Sequence, residues 1–264
     1  MKRIILFVGA CYASLIAAYG QSLIITGEME DPLASVEHVL QYIDYGPVTS
    51  HILLDRTLPM GKISAYVASS ESDSTYCDMW LLDQQFTNLL TASLPTYPYT
   101  ADILDYKDDW AAYQPSSTVP LVLMAMDYHM FKASAVDDGI LTIANGQLHH
   151  SSGYTATDAY EHKSAYHSGF FTKKWGLQTT LTLSASHMLG NLTIDPTSIY
   201  IDADDGLGYR QVTAGSPFSI TYTSDDTHTI KVKYSDTVGH ETVHYHKIEA
   251  SMANAVFIKT HSNT

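Results

Sequence analysis

The fold of this chain is indicated by the stretch that begins with Ile201-Asp202-Ala203-Asp204-Asp205-Gly206. After this acidic turn, Phe218, Ile220 and Tyr222 alternate with polar residues, and residues 230–234 repeat the pattern. Successive side chains of a strand point to opposite faces, so a period of two predicts strands that bury one face. Turn residues recur about every ten residues, which is the spacing expected of a β-sandwich.

The same region ends in His240-Glu241-Thr242-Val243-His244, which matches the zinc-peptidase pattern HExxH. That pattern holds zinc on a helix, where the two histidines lie one turn apart. Because Gly239 precedes the motif and β-branched residues run through it, we predict a strand over residues 240–248. On a strand the glutamate points away from the histidines. We therefore interpret the match as chance, and we expect the histidine face, which includes His246, to be exposed to solvent.

The acidic turn and its following strands match the pattern of a known family. Asp202, Asp205 and Gly206 match a turn whose usual sequence is Trp-Asp-Phe-Gly-Asp-Gly, and Tyr222 matches a later tyrosine that precedes an alternating strand. On these positions, residues 192–251 resemble the PKD-like, immunoglobulin-type domains of extracellular proteins. The chain departs from the family at three positions of the turn, which are Ile201, Ala203 and Asp204. The resemblance implies a spacer or contact module.

The carboxylates of the turn allow two interpretations. Asp202, Asp204 and Asp205 are hard oxygen ligands of the kind that calcium prefers, but calcium takes six or more oxygens. Aspartate side chains in turns also accept hydrogen bonds from nearby backbone amides. We prefer the structural interpretation, keep calcium as a hypothesis, and assign no catalytic or cofactor-binding residue.

The first residues predict export. Lys2 and Arg3 precede an apolar run at residues 4–18, and Ala18-Tyr19-Gly20 supplies the small residues of a signal-peptide cleavage site. We expect residues 1–20 to be removed and the remainder to be secreted or displayed on a bacterial surface. The apolar run is shorter than the roughly 20 residues of a membrane span, so no transmembrane segment is expected in the mature chain.

The net charge limits the classes of partner, and the cysteine count limits the possible disulfides. The formal net charge of −14 argues against nucleic acid, because a polyanion is repelled by an acidic surface. We expect an extracellular protein or glycan instead. Loss of residues 1–20 would leave Cys77 as the one cysteine, and we interpret it as a buried structural residue.

Composition predicts an α+β domain followed by an all-β immunoglobulin-like sandwich. Residues 21–190 form the first part, residues 191–252 the PKD-like module, and residues 253–264 a tail or the start of a further element. Three helices are predicted. The first begins at Pro32 with Asp31 as cap, the second covers residues 75–91 with Asp73 or Ser74 as cap, and the third covers residues 100–113. The predicted strands before the module cover residues 119–131, a hairpin around Asn145-Gly146, and residues 170–174 and 178–184.

Two stretches of the first part, Leu54-Asp55-Arg56-Thr57-Leu58-Pro59 and Val119-Pro120-Leu121-Val122-Leu123, resemble the leading parts of uncharacterised secreted bacterial surface proteins. That resemblance implies no activity. Between them and the module lies a group of polar and aromatic residues, which we interpret as a polar loop rather than a ligand site: His149, His150, Tyr154, Tyr160, His162, Tyr166 and His167. We expect the tryptophans, Trp80, Trp110 and Trp175, to be core residues.

The function predicted from these features is a non-catalytic binding, adhesion or structural module outside the cell. The alternative is a secreted hydrolase whose catalytic part is N-terminal and whose sandwich is accessory. A deep pocket with converging carboxylates or a serine–histidine pair in residues 28–184 would favour the hydrolase.

Overall fold

The computed structural model describes residues 32–57, 63, 76–95 and 105–254 of the 264-residue chain. The predicted signal peptide, the Asp31 cap, the proposed caps at Asp73 and Ser74, and the tail beyond residue 254 lie outside the described residues. In the described part strands outweigh helices, with a few helices and several sheets. Within it, no helix is long and apolar enough to cross a membrane.

The elements follow one another as short helices and then strands. The helices are α1 (Pro32–Val39), α2 (Met79–Thr91) and α3 (Asp105–Ala112). The strands are β1 (Thr118–Phe131), β2 (Leu141–Ala144), β3 (Gln147–His150), β4 (Tyr160–Phe170), β5 (Lys174–Trp175), β6 (Gln178–Thr182), β7 (Met188–Leu189), β8 (Tyr200–Asp202), β9 (Tyr209–Gln211), β10 (Phe218–Thr221), β11 (Asp226–Ser235) and β12 (Glu241–Ala250). Short 3-10 turns occur at Leu54–Arg56, Ala156–Ala159 and Ala185–His187.

The chain forms two compact units, each assembled from separate stretches of sequence. Unit 1 contains the described residues 32–57, 87–95 and 127–163, and unit 2 contains residues 63, 76–86, 105–126 and 164–254. The sequence-based boundary between residues 190 and 191 falls inside unit 2. The physical reason is strand pairing, because β10 of the predicted C-terminal module is antiparallel to β6 of the predicted N-terminal domain.

Two helices show how the sequence punctuates them. In α1, Val36 is buried, and Leu40 and Ile43 in the turns that follow are buried beside it, as their spacing predicts. The helix α2 begins at Met79, later than predicted, because Asp78 is its cap. The Asp78 Oδ1 accepts the backbone amide of Leu81 at 2.8 Å and so satisfies one of the donors that a helix start leaves open.

Unit 1 contains the predicted hairpin. Asn145 and Gly146 have φ angles of 54° and 77°, the left-handed conformation that a two-residue turn between β2 and β3 requires. The buried core of unit 1 is formed by the following residues: Val36, Leu40, Ile43, Val48, Leu53, Leu94, Phe131, Ala135, Ile140, Leu141, Leu148, Ala159 and Tyr160.

Unit 2 contains most of two five-stranded sheets. The first has the order β10-β6-β1-β4, with β7 also paired to β1, and the second has the order β5-β12-β11-β8-β9. Apolar side chains of both sheets enter one core. The residues whose alternation predicted strands are all buried there: Ile199, Ile201, Phe218, Ile220, Tyr222, Ile230, Val232 and Tyr234. The period of two is therefore confirmed.

Three predictions about polar and aromatic residues are wrong. The segment predicted as a polar loop continues into β4, where Tyr160, Tyr166 and His167 are buried. The histidine face of β12 is also buried. His244 pairs with Val232 across the β11–β12 ladder, so both side chains lie on the face of the sheet that meets the core. Among the tryptophans, Trp175 is buried and Trp110 half-buried, as core residues should be, but Trp80 is 59% exposed.

Candidate functional site

The acidic turn uses its carboxylates to hold its own backbone. The Asp202 Oδ1 accepts the amide of Asp204 at 3.1 Å, and its Oδ2 lies 3.5 Å from the Lys231 ammonium. Asp205 pairs with Arg210, and Asp204 accepts a backbone amide from β11 at 3.2 Å. Within the part of the chain that the structure describes, no group of three His, Cys, Asp or Glu side chains is placed to hold a metal ion. These contacts account for the three aspartates as parts of the turn.

The two histidines of the HExxH match lie in different environments. The segment is extended, as predicted, with β12 beginning at Glu241. His240 lies in the turn before the strand and its side chain is 49% exposed, whereas His244 is buried in the core. On a strand both histidines would share one face, so the difference arises because His240 precedes the first residue of β12, whereas His244 lies within the strand and faces the core.

A buried histidine cluster, consisting of His167, Ser168, Thr242, His244 and His246, lies between β4 and β12 in unit 2. The Ser168 hydroxyl is 2.8 Å from His246 Nε2 and 3.1 Å from His244 Nδ1, and the Thr242 hydroxyl is 3.1 Å from His244 Nε2. His167 Nδ1 donates to the Ser168 carbonyl at 2.8 Å. Hydroxyls and carbonyls, rather than carboxylates, therefore satisfy these three imidazoles.

One proton arrangement satisfies this chain of hydrogen bonds. Thr242 donates to His244 Nε2, His244 Nδ1–H donates to Ser168, and Ser168 donates to His246 Nε2. The other nitrogen of His246 then donates to the carbonyl of Cys77. His244 and His246 each have a single ring proton in this arrangement, so both histidines are neutral.

Burial gives the cluster its electrostatic character. It lowers the pKa of His167 to about 4 and that of His246 to about 3, and it holds the pKa of His244 well below its ordinary value. The neighbouring histidines lower the pKa values of His244 and His246 further. Burial also raises the pKa of the adjacent Cys77 thiol to about 12, the reverse of what a nucleophilic thiolate requires.

A second group, the exposed histidine group, consists of Tyr166, Asp236 and His240. The Asp236 Oδ2 accepts the Tyr166 hydroxyl at 2.5 Å and lies 3.0 Å from His240 Nδ1, while its Oδ1 accepts the backbone amides of Val238 and His240 at 3.0 Å. Burial raises the pKa of Asp236, but these hydrogen bonds outweigh it and hold that pKa below its usual value. Asp236 therefore fixes the turn between β11 and β12.

Unit 1 contains a serine–histidine contact that the sequence did not predict. Ser50 Oγ lies 2.8 Å from His129 Nδ1, and the His129 ring stacks on His162 with centroids 4.8 Å apart. His162 Nε2 is 3.0 Å from Asp127 Oδ2. Burial and the neighbouring His162 lower the pKa of His129. Ser50 and His129 are 79 residues apart in sequence, so no local motif could have indicated the pair.

The remaining residues of the predicted polar loop are dispersed. His149 stacks on Tyr42 with ring centroids 4.6 Å apart, and His150 Nε2 accepts the amide of Asp44 at 3.1 Å. The exposed Tyr154 donates to a backbone carbonyl at 3.1 Å. Each of these residues serves local structure within unit 1.

The outer face of the second sheet is an aromatic and charged surface. We call it the tyrosine–lysine face, and it contains Tyr200, Asp202, Tyr209, Gln211, Lys231 and Lys233. On β8 and β11 these residues alternate with buried ones, and on β9 Tyr209 and Gln211 flank the partly buried Arg210, so they point away from the core. The Lys233 ammonium lies 5.5 Å from the ring centroid of Tyr200 and 5.3 Å from that of Tyr209, within reach of a cation–π contact with each.

The chain matches no protein-family model, no curated protein and no solved structure. The resemblance to PKD-like domains accordingly stays a prediction.

Proposed function

We propose that the protein is a non-catalytic binding module of the cell exterior, with an immunoglobulin-like sandwich that contacts a glycan through the tyrosine–lysine face. The observation that carries this proposal is the position of Lys233 over both Tyr200 and Tyr209 on the outer face of the sheet. The signal-peptide pattern of residues 1–20 supports export.

The chemistry of the face fits a sugar. Tyr209 is 40% exposed, and a tyrosine ring offers an apolar surface with a polar hydroxyl, which suits a pyranose that has C–H groups on its faces and hydroxyls at its edge. The Lys231–Asp202 and Lys233–Glu241 pairs, each at 3.5 Å, balance charge and offer both donors and acceptors to hydroxyl groups.

A protein partner fits this face less well. Stable protein interfaces bury about 800 Å² on each side around an apolar centre. The tyrosine–lysine face has aromatic and charged residues, and its neighbouring aliphatic residue, Val243 on β12, is only half exposed. A glycan needs no apolar centre of that kind.

A glycan array probed with the full chain tests this function. Tyr209→Ala should weaken binding about tenfold, the equivalent of about 1.4 kcal/mol, because it removes the more exposed ring. Tyr154→Ala is the matched control, since Tyr154 is an exposed tyrosine of unit 1 that does not belong to the face. The proposal fails if no glycan is retained, or if both variants bind as the wild type does.

A secreted hydrolase is the second candidate function, and the Ser50–His129 contact at 2.8 Å favours it, because a histidine at that distance can activate a serine. Assays on ester, amide and glycoside substrates should compare the wild type with Ser50→Ala and Ser134→Ala. Turnover that is lost only in Ser50→Ala supports a hydrolase. Identical rates in all three proteins rule out Ser50 as nucleophile.

A further inference from the structure

An open cavity of about 300 Å³ lies in unit 1, beside α1. Its lining residues are Glu37, Leu40, Gln41, Tyr45, Arg56 and Pro95. The volume is at the lower end of the roughly 300–1,000 Å³ of small-molecule sites, so an occupant must be small. The lining combines one cation, one anion and two apolar residues, and neither proposed function uses it.

The two charges of the cavity differ in how firmly they are held. The Arg56 side chain is only 12% exposed, and its guanidinium donates to the Ser93 carbonyl and to the Tyr45 hydroxyl. Glu37 is 63% exposed on the helix surface, and its carboxylate lies 3.8 Å from the guanidinium. That separation is too long for a direct hydrogen bond. Arg56 is therefore a fixed cation, and Glu37 is an anion that can move.

Separating the Glu37–Arg56 ion pair costs little free energy. An ion pair with one exposed partner contributes about 0–1 kcal/mol, because water competes for the exposed carboxylate. A ligand carboxylate can accept a charge-assisted hydrogen bond from the Arg56 nitrogen that faces Glu37, which is stronger than the 3.8 Å contact it replaces. A ligand carboxylate can therefore take the place of Glu37 at Arg56.

A ligand that carries a single charge does not suit both residues. A simple anion on Arg56 is repelled by Glu37, and a simple cation on Glu37 is repelled by Arg56. A molecule with a carboxylate and an ammonium on the same carbon satisfies both. The exposed Pro95 lines the same cavity and can contact an apolar substituent.

We propose that this cavity binds a free α-amino acid with an apolar side chain, its carboxylate on Arg56 and its ammonium on Glu37. The site goes beyond the glycan surface proposed above, since it lies in unit 1 and shares no residue with the tyrosine–lysine face. A failure of either proposal leaves the other unaffected.

Isothermal titration calorimetry of the full chain with L-leucine tests the site. L-leucinamide keeps the ammonium and lacks the carboxylate, and N-acetyl-L-leucine keeps the carboxylate and lacks the ammonium. We expect L-leucine to bind with saturable heat and each analogue to bind at least tenfold more weakly. Absence of saturable heat with L-leucine, or equal affinity for all three compounds, overturns the proposal.

Variants of the anion test the assignment of charges without disturbing the fold. Glu37→Gln should bind L-leucine about tenfold more weakly and N-acetyl-L-leucine more tightly than the wild type does, because the repulsion of a lone carboxylate is removed. Asp137→Asn is the control, since Asp137 is an exposed carboxylate of unit 1 outside the cavity. Equal changes in both variants would show a general charge effect and contradict the assignment.

Discussion

The hairpin of β11 and β12 places histidines in two contrasting environments. His240 of the exposed histidine group bonds to the carboxylate of Asp236, and half of its side chain is in contact with water. His244 and His246 of the buried histidine cluster bond to hydroxyls and a carbonyl and are enclosed by the core. The comparison shows that the groups around each histidine determine its hydrogen bonds and its burial. The HExxH spacing by itself predicts neither.

The largest expected effect is loss of stability in acid through the buried histidine cluster. The unfolded-state pKa of histidine is about 6.5, and the folded-state values of His167 and His246 are about 4 and about 3. Their contribution is fully present above pH ~6.5 and is lost as the pH falls toward the folded-state values, because only the unfolded chain takes up protons readily. The free energy of unfolding should fall by on the order of 5 kcal/mol between pH 7 and pH 4 through these histidines.

One carboxyl group works in the opposite direction. Burial raises the pKa of Asp55 to about 6, so this group binds a proton more readily in the folded state and adds stability as the pH falls below that value. Three histidines outweigh one aspartate. Urea unfolding at pH 7.5, 6 and 5 should therefore show a falling midpoint, with net proton uptake on unfolding. A midpoint that is unchanged between pH 7.5 and 5 would mean that the cluster is hydrated.

The buried cluster could have been predicted in part from the sequence. The alternation in residues 230–234 identifies Ile230 and Val232 as inward positions of β11. Continuing that alternation through the turn places His244 opposite Val232 and His246 opposite Ile230, both inward. The prediction of an exposed histidine face is wrong because a polar imidazole can be buried when hydroxyl and carbonyl groups satisfy its ring nitrogens.

Other parts of the structure have no local signal. Ser168 is 76 residues from His244 and 78 from His246, so their contacts depend on how β4 meets β12. The strand β4 itself contains Tyr, His, Lys and Ser in a mixed order, which hides the period that was clear in residues 218–234. By contrast, the Asn145-Gly146 hairpin was predicted correctly because its turn chemistry is contained in two adjacent residues.

A medium effect is expected when the hydroxyl that links the buried histidines is removed. Ser168→Ala deprives His244 Nδ1 and His246 Nε2 of a partner in a place that water does not reach, and it should lower the free energy of unfolding by about 1–3 kcal/mol. Ser219→Ala, at an exposed position of β10, should change it by less than about 0.5 kcal/mol. Urea unfolding at pH 7.5 compares the two, and equal effects would contradict the role of Ser168.

The smallest effect is expected in the exposed histidine group. His240→Ala removes one bond to Asp236, but the Asp236 carboxylate keeps the Tyr166 hydroxyl and two backbone amides. The turn should therefore persist, and the free energy of unfolding at pH 7.5 should change by less than about 1 kcal/mol, as expected for a partly exposed ion pair. His244→Ala in the same strand leaves a cavity and unsatisfied hydroxyls, and should cost about 3 kcal/mol or more. If the two variants were equally destabilised, Asp236 would depend on His240 for its charge, and the turn and the core would form one polar network rather than two.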